Sequence, residues 1–200
     1  DEQGSVDSYS IPWDELAKAI NPKTRLVIIN TPHNPTGMVW QKSDLDRLAS
    51  LVRSYSALIL SDEVYEHMVF DGGHHQSVAR FKNLADRSFL ISSFGKTYHV
   101  TGWKVGFVAA PAMLTAEFRK VHQFLVFCVN APVQFALAEF LQQPNHYLEL
   151  GDFYQHKRDY FLSLIQSSKF EFTPSAGTYF QLLNYKQLSD EKDVDYAKHL

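Results

Sequence analysis

Apolar residues in this chain follow two rhythms. Short unbroken runs, Arg25–Asn30 (RLVIIN), Ala57–Asp62 (ALILSD), Phe89–Ser93 (FLISS) and Val105–Ala110 (VGFVAA), read as buried strands, the first ended by Thr-Pro and Asn-Pro turn signals. Between the first two, Leu45, Leu48, Leu51 and Val52 recur at helical spacing in SDLDRLASLVRSY. Ser43 opens that segment, with Asp46 as the far half of a shortened capping box. Continuous apolar strands interleaved with helices predict an α/β layer around a largely buried sheet. Ser61, Asp62, Ser92 and Ser93 fall at strand C-termini, the edge at which open α/β sheets bind ligands.

After Pro111 the pattern changes. Residues 112–143 read as helix with an interruption near 129–132, and Pro144-Asn145 leads into a long amphipathic helix over 146–167. KFEFT (Lys169–Thr173) and TYFQLL (Thr178–Leu183) are short strand candidates around Pro174-Ser175-Ala176-Gly177, and the closing DEKDVDYAKHL reads as helix. The expected division is a first α/β domain over 1–111, connecting helices over 112–143, and the beginning of a smaller α+β domain over 144–200.

Composition narrows the classes. Two hundred residues, 45% hydrophobic and 20% charged, suit one ordinary soluble domain or one domain plus part of another. A formal charge of -3 leaves no footprint for nucleic acid or an anionic membrane, and no apolar run approaches a transmembrane helix. The single Cys128 excludes an internal disulfide and suits a reducing cytoplasm. DEQGSVDSYSIPWDEL has neither an initiator Met nor the basic and apolar regions of a signal peptide, so the chain is expected to be an internal piece of a longer protein. Nine histidines show no metal-ligand spacing, so no metal site is expected; His99 reads as packed or solvent-facing.

Four features at strand ends carry chemistry. In NTPHNPTG (Asn30–Gly37) two prolines hold Asn34 in a stiff turn. SDEVYE (Ser61–Glu66) puts Asp62 at a strand end with Tyr65 three residues on, though alone it reads as a helix cap with a solvated acidic face. SSFGKTYHVTGWKVG then supplies Ser93, Lys96 and Lys104 in a stretch without an acidic residue. A lysine amine at a dry strand end can form a Schiff base with an aldehyde. Pyridoxal phosphate needs such a lysine, an acidic partner for its ring nitrogen and donors for its phosphate. Asp62 has the charge and the location; Asn34 and Tyr65 can donate to the ring's phenolate oxygen; Ser93 and one of the two lysines can take the phosphate.

Taken in order, Asn-Pro-Thr-Gly, Asp-x-x-Tyr, Ser-x-x-Lys and a basic residue eight positions later resemble the fold-type I, pyridoxal-phosphate-dependent aminotransferases of class I/II. The resemblance covers essentially the whole chain. It implies a three-layer α/β fold with a mostly parallel sheet, followed by the start of the small domain. It implies Lys96 as the Schiff-base lysine and proton carrier, Asp62 as partner of the pyridine nitrogen, and Asn34 and Tyr65 as donors to the phenolic oxygen. Ser93 and Lys104 become phosphate ligands; Lys104 stands where the commonest pattern has an arginine, a point charge in place of a bidentate fork. SFGKTYHVTGWKVG is especially similar to the kynurenine, glutamine and methionine branch, and NTPHNPTGMVW with VHQFLVF to its bacterial methionine members.

The implied reaction is transamination between an L-amino acid (methionine, glutamine or a kynurenine-like aromatic) and a 2-oxo acid. Cysteine-conjugate β-elimination is the alternative on the same Lys96. The family carries a phosphate loop upstream of this segment and a substrate-carboxylate arginine downstream, so the piece alone is expected to be inactive. It also works as homodimers, in which His122, Phe124 and Phe127 line an apolar pocket or else pack in the core. Trp103 is expected to pack the strand end, and Gly177-Thr178-Tyr179-Phe180 to open a strand that faces the site or a plain turn.

Overall fold

A computed structural model of the chain describes residues 9–200; the opening residues, on which the absence of a leader was read, lie outside that range. The elements run α1 (Trp13–Ala19), β1 (Leu26–Asn30), α2 (Lys42–Val52), β2 (Leu58–Asp62), α3 (Lys82–Ala85), β3 (Ser88–Ser93), α4 (Phe94–Thr97) and β4 (Gly106–Ala109). They continue through α5 (Ala112–Leu125), α6 (Ala131–Phe140), α7 (Asn145–Leu148), α8 (Leu150–Ile165) and α9 (Asp193–His199). All four apolar runs are strands of one open sheet, in the order β1-β2-β3-β4. The first two pairings are parallel and the third antiparallel.

The main core lies on one face of this sheet. Val27 and Ile29 of β1, Ile59 of β2, and Leu45, Leu48 and Val52 of α2 close it, with Trp40, Val78 and Leu84. The heptad-like spacing of α2 thus buries the stripe that the sequence shows. At the β1 edge the other face is open: Leu26 and Ile28 are 43% and 67% exposed, whereas Phe89 of β3 on that face meets Phe118 of α5. Unbroken apolar strands call for two covering layers, and the described residues supply only one at this edge. The N-terminus of α2 also differs. Its cap is Gln41, whose N–H donates to Asp44 Oδ2 at 2.7 Å, so Ser43 lies inside the helix.

The C-terminal part is mostly helical. The break between α5 and α6 falls where the sequence places it, and the expected long helix is divided at Glu149. KFEFT and TYFQLL are not strands. Only isolated bridges form here, Glu171 of KFEFT to Asn184 and, just before TYFQLL, Gly177 to Val69, since short β segments without a third partner gain too little to form a ladder. Arg158 of α8 ties this part to the sheet domain: it reaches Asp71, Asp159 and the Ser175 carbonyl and lies 4.9 Å above the Phe70 ring. Trp103, expected to pack, is 48% exposed. Among the described residues, no helix is long and apolar enough to cross a membrane.

Candidate active site

Sheet register decides which strand-end groups meet. Asn30, Asp62, Ile91 and Val108 form one row across β1 to β4. Side chains alternate along a strand, so Asp62 and Ser93 share a face while Ser61 and Ser92 point to the other. That second face is sealed. The Ser61 hydroxyl donates to Glu63 Oε1 at 2.8 Å, and the Ser92 hydroxyl donates to Glu66 Oε1. Glu63 is fully buried and also accepts from the Val78 N–H at 3.0 Å and meets His75 Nε2 at 2.7 Å. The acidic residues after Asp62 are therefore interior acceptors and not a solvated face.

On the open side, Asp62 is half-buried and its Oδ1 accepts the Val64 N–H at 3.2 Å. This turn drops Tyr65 into a second small core with Met68 and Leu150, where it is 3% exposed. Asn30 clamps the neighbouring loop: its Nδ2 donates to the Asp62 carbonyl at 3.0 Å and its Oδ1 accepts the Asn34 N–H at 2.8 Å. The peptide bonds Thr31–Pro32 and Asn34–Pro35 are both cis. The loop so formed brings the Asn34 side chain near the Tyr65 hydroxyl. Burial first, then the Tyr179 hydroxyl and then the Asp62 charge push the Tyr65 phenol far above its ordinary range, while Asn34 works against them. Tyr65 is thus held neutral, with a proton to donate.

Ser93 ends β3 and caps α4, its Oγ accepting the Gly95 N–H at 3.2 Å. A Cβ on Gly95 would stand 2.9 Å from Thr101 Cα, so glycine is what lets the chain fold back over this turn. Lys96 follows, half-buried, with Nζ 5.9 Å over the Tyr179 ring. Tyr179 in turn meets the Tyr65 hydroxyl at 3.3 Å. Lys104 is exposed and makes no ion pair among the described residues. It takes the left-handed conformation (φ 55°, ψ 43°) between the Thr101–Trp103 turn and β4, two residues before Gly106, the sheet partner of Ser93. His99 and Thr178, which flank Lys96 and Tyr179, also have positive φ, 58° and 66°. Such outliers cluster at functional sites.

All six residues singled out in the sequence thus lie at the C-terminal end of the sheet. Sequence reasoning missed the Asn30 clamp and the buried Glu63–His75 pair. His99, read as packed or solvent-facing, is exposed, and its Nε2 meets the Tyr154 hydroxyl at 3.1 Å. Phe124 and Phe127 stand 85% and 79% exposed.

Comparison with known proteins agrees with this geometry. The family model described as aminotransferase class I and II matches residues 3–200. The methionine aminotransferase of Escherichia coli is 47% identical over 193 residues, covering 96% of this chain and 50% of its own. A kynurenine–oxoglutarate transaminase of Dictyostelium discoideum is 38% identical, over 90% of this chain and 42% of its own. Among solved structures, an E. coli protein with a methionine aminotransferase function superposes with a TM-score of 0.94 at 46% identity, over 98% of this chain and 52% of its own. N-succinyldiaminopimelate aminotransferase from Mycobacterium tuberculosis gives 0.90 at 34% identity, over 96% of this chain and 50% of its own. The chain spans about half the length of the curated relatives it matches.

Proposed function

Because this chain belongs to the class I and II aminotransferase family, we propose that the protein containing it transfers an amino group between an L-amino acid and a 2-oxo acid with pyridoxal 5'-phosphate. One observation carries the reading: at the strand ends that hold Asp62 and Ser93, the Tyr65 hydroxyl meets that of Tyr179 at 3.3 Å, and the Tyr179 ring lies 5.9 Å from Lys96 Nζ.

The donor set fits the cofactor. Asp62 would face the ring nitrogen, Tyr65 and Asn34 the phenolic oxygen, Ser93 and Lys104 the phosphate, and Lys96 the aldehyde. Bound pyridoxal phosphate supplies that aldehyde and a ring that takes up electrons from the substrate α-carbon. An Asp62 carboxylate beside the ring nitrogen would favour its protonated form. Tyr65, neutral and buried, supplies a proton to an anionic oxygen. Lys96 Nζ, once free of the aldehyde, is the base that moves the α-proton. Lys104, without an ion pair among the described residues, offers a charge that a phosphate would neutralise.

The substrate class we favour is methionine, glutamine or a kynurenine-like aromatic, on the names of the most similar relatives. A cavity of about 360 Å³ lined by Tyr154, Phe161, Tyr179 and Phe180 together with Lys157 and Arg158 shares Tyr179 with the site. A homodimer would cover the exposed apolar residues of α5, among them Met113 and Phe124, and the lone Cys128 suits a cytoplasmic enzyme. The test is the visible spectrum of the full-length protein with pyridoxal phosphate. Adding L-methionine should bleach the cofactor's band and a 2-oxo acid should restore it. A Lys96→Ala variant that cycled in the same way would overturn the reading.

A further inference from the structure

We propose that Tyr179 is a positioning residue for Tyr65: its hydroxyl sets the direction of the Tyr65 proton, and its ring covers the Lys96 amine. The proposal rests on the aminotransferase reading of the site. Tyr179 and Tyr65 are 114 positions apart, yet their hydroxyls meet at 3.3 Å and their rings stand edge to face at 5.3 Å and 86°. The Lys96 Nζ lies 5.9 Å from the same Tyr179 ring, within cation–π range. Tyr154, which meets His99 through its hydroxyl, lies against the Tyr179 ring at 5.6 Å. Tyr179 therefore touches both ends of the predicted chemistry, and at 41% exposure it stands between them and solvent.

Its placement is imposed by the segment that carries Tyr65. The Thr178 N–H donates to the Met68 carbonyl at 2.9 Å and the Phe70 N–H to the Ala176 carbonyl at 2.9 Å. Thr178 is fully buried and holds a left-handed φ of 66°, which turns the next side chain back over Tyr65. The Phe180 N–H closes on Thr178 Oγ1 at 3.2 Å.

The consequence concerns one proton. As the site stands, the Tyr65 hydroxyl donates to that of Tyr179. To donate to an anionic ring oxygen, Tyr65 must turn its proton away from Tyr179. The Tyr179 hydroxyl can then reverse and donate to Tyr65. A chain of hydroxyl donors ending on an anion strengthens each member. Tyr179 thus parks the proton in one state and reinforces its donation in the other.

The test uses the full-length protein and its Tyr179→Phe, Tyr65→Phe and doubly substituted variants. Two quantities are read: the dissociation constant for pyridoxal phosphate, and the pH midpoint of the bound cofactor's absorbance. A donor to the phenolate oxygen stabilises the deprotonated chromophore, so weakening it raises the midpoint. One neutral hydrogen bond predicts about threefold to tenfold weaker binding for Tyr179→Phe and a midpoint higher by about 0.3 to 1 pH unit. Tyr179→Phe added to Tyr65→Phe should then change little. Two results overturn the proposal: an unshifted midpoint and unchanged affinity in Tyr179→Phe, or an equal effect when Tyr65 is already Phe. An unsubstituted protein that forms no cofactor band sinks the aminotransferase reading along with it, whereas a silent Tyr179→Phe sinks this inference alone. Melting temperatures identify any loss due to folding, and a Tyr179→Leu variant that folds but binds cofactor like the unsubstituted protein would also overturn the proposal.

Discussion

Arg158 grips Asp71 through two hydrogen bonds, Nη1 to Oδ2 and Nη2 to Oδ1, each 2.7 Å long, across 87 positions of chain. The two ends are unequal: the Arg158 side chain is 8% exposed and that of Asp71 is 61%. Solvent screens the attraction at Asp71, so the guanidinium is the costly partner to lose, since the Ser175 carbonyl depends on it as well. Arg158→Ala should destabilise the protein by about 2–3 kcal/mol and Asp71→Asn by about 1 kcal/mol, read from urea melts. The arginine holds the Asp71 carboxyl below its ordinary range. Its contribution is therefore present above the unfolded carboxylate's range and fades as pH falls through the folded value. Equal melts for Arg158→Ala and the unsubstituted protein would remove this strut from the account.

Glu63 makes a sharper case because its carboxylate is fully buried and serves Ser61, His75 and the Val78 N–H together. Glu63→Ala strands those donors and leaves a cavity, at a cost of about 2–4 kcal/mol. Glu63→Gln keeps an acceptor for Ser61 and Val78, and His75 can change tautomer to accept from the new amide. Its cost should stay near 1 kcal/mol. Thermal melts of the two variants decide the order; a glutamine as damaging as alanine would mean that the charge itself is required.

How far the chain could be read without coordinates depended on the range of the interactions. β1 to β4 were legible because a strand is specified by a short apolar run, and α2 by its own spacing. The cap of α2 shifted to Gln41 because Asp44 and not Asp46 reaches back to it. KFEFT and TYFQLL have strand composition, but the isolated bridges use Glu171 of the first and only the residues flanking the second, and composition cannot supply a partner strand. In the site, Asn34, Asp62, Tyr65, Ser93, Lys96 and Lys104 were named from residue chemistry and motif order, and sheet register gathers them. Asn30 was invisible because its role is a side-chain clamp between two loops. Tyr179 could be flagged but not placed, since it meets Tyr65 only through tertiary folding.

His67 offers a pH test. Burial lowers its affinity for a proton and nearby His75 lowers it further, while Glu66 partly opposes both. A histidine shifted down binds protons more readily in the unfolded chain, whose ordinary value is 6.5. Stability is therefore full above that value and declines as pH falls from it towards the lower folded value. His67→Gln should flatten this decline, seen as a smaller change in urea midpoint between pH 7.5 and 5.5. An unchanged slope would mean that another group governs the acid limb.

Lys104 and Asp62 carry separable predictions for cofactor and catalysis. Lys104→Ala should weaken pyridoxal phosphate binding about 10- to 100-fold, the worth of one charge-assisted hydrogen bond. Lys104→Arg should bind at least as well as lysine, provided the left-handed backbone (φ 55°) is kept. Asp62→Asn keeps the shape but removes the charge and should lower kcat on the order of 10²–10³-fold while the cofactor remains bound. Fluorescence titration and steady-state rates check the two arms. A Lys104→Ala variant with unaltered affinity would take Lys104 out of the phosphate site.

Gly37 ties the Asn34 loop to the C-terminal part of the chain, and its substitution separates two kinds of glycine. Its φ is +69°, and a Cβ there would stand 2.3 Å from Ser175 Cβ. Its N–H donates to the His33 carbonyl at 2.9 Å, and its own carbonyl accepts the Ala176 N–H at 3.1 Å. Alanine must therefore strain the backbone and push away Ser175, which opens the turn that presents Asn34 to Tyr65. Gly37→Ala should cost more than about 1 kcal/mol and weaken cofactor binding along with it. At Gly102 an added Cβ meets nothing within 4 Å, so Gly102→Ala should stay within about 0.5 kcal/mol. Paired thermal melts and pyridoxal phosphate titrations of the two alanine variants test this. If Gly37→Ala lost stability but kept full affinity, Asn34 would be held by Asn30 alone, and the contact with Ser175 would serve the fold and not the site.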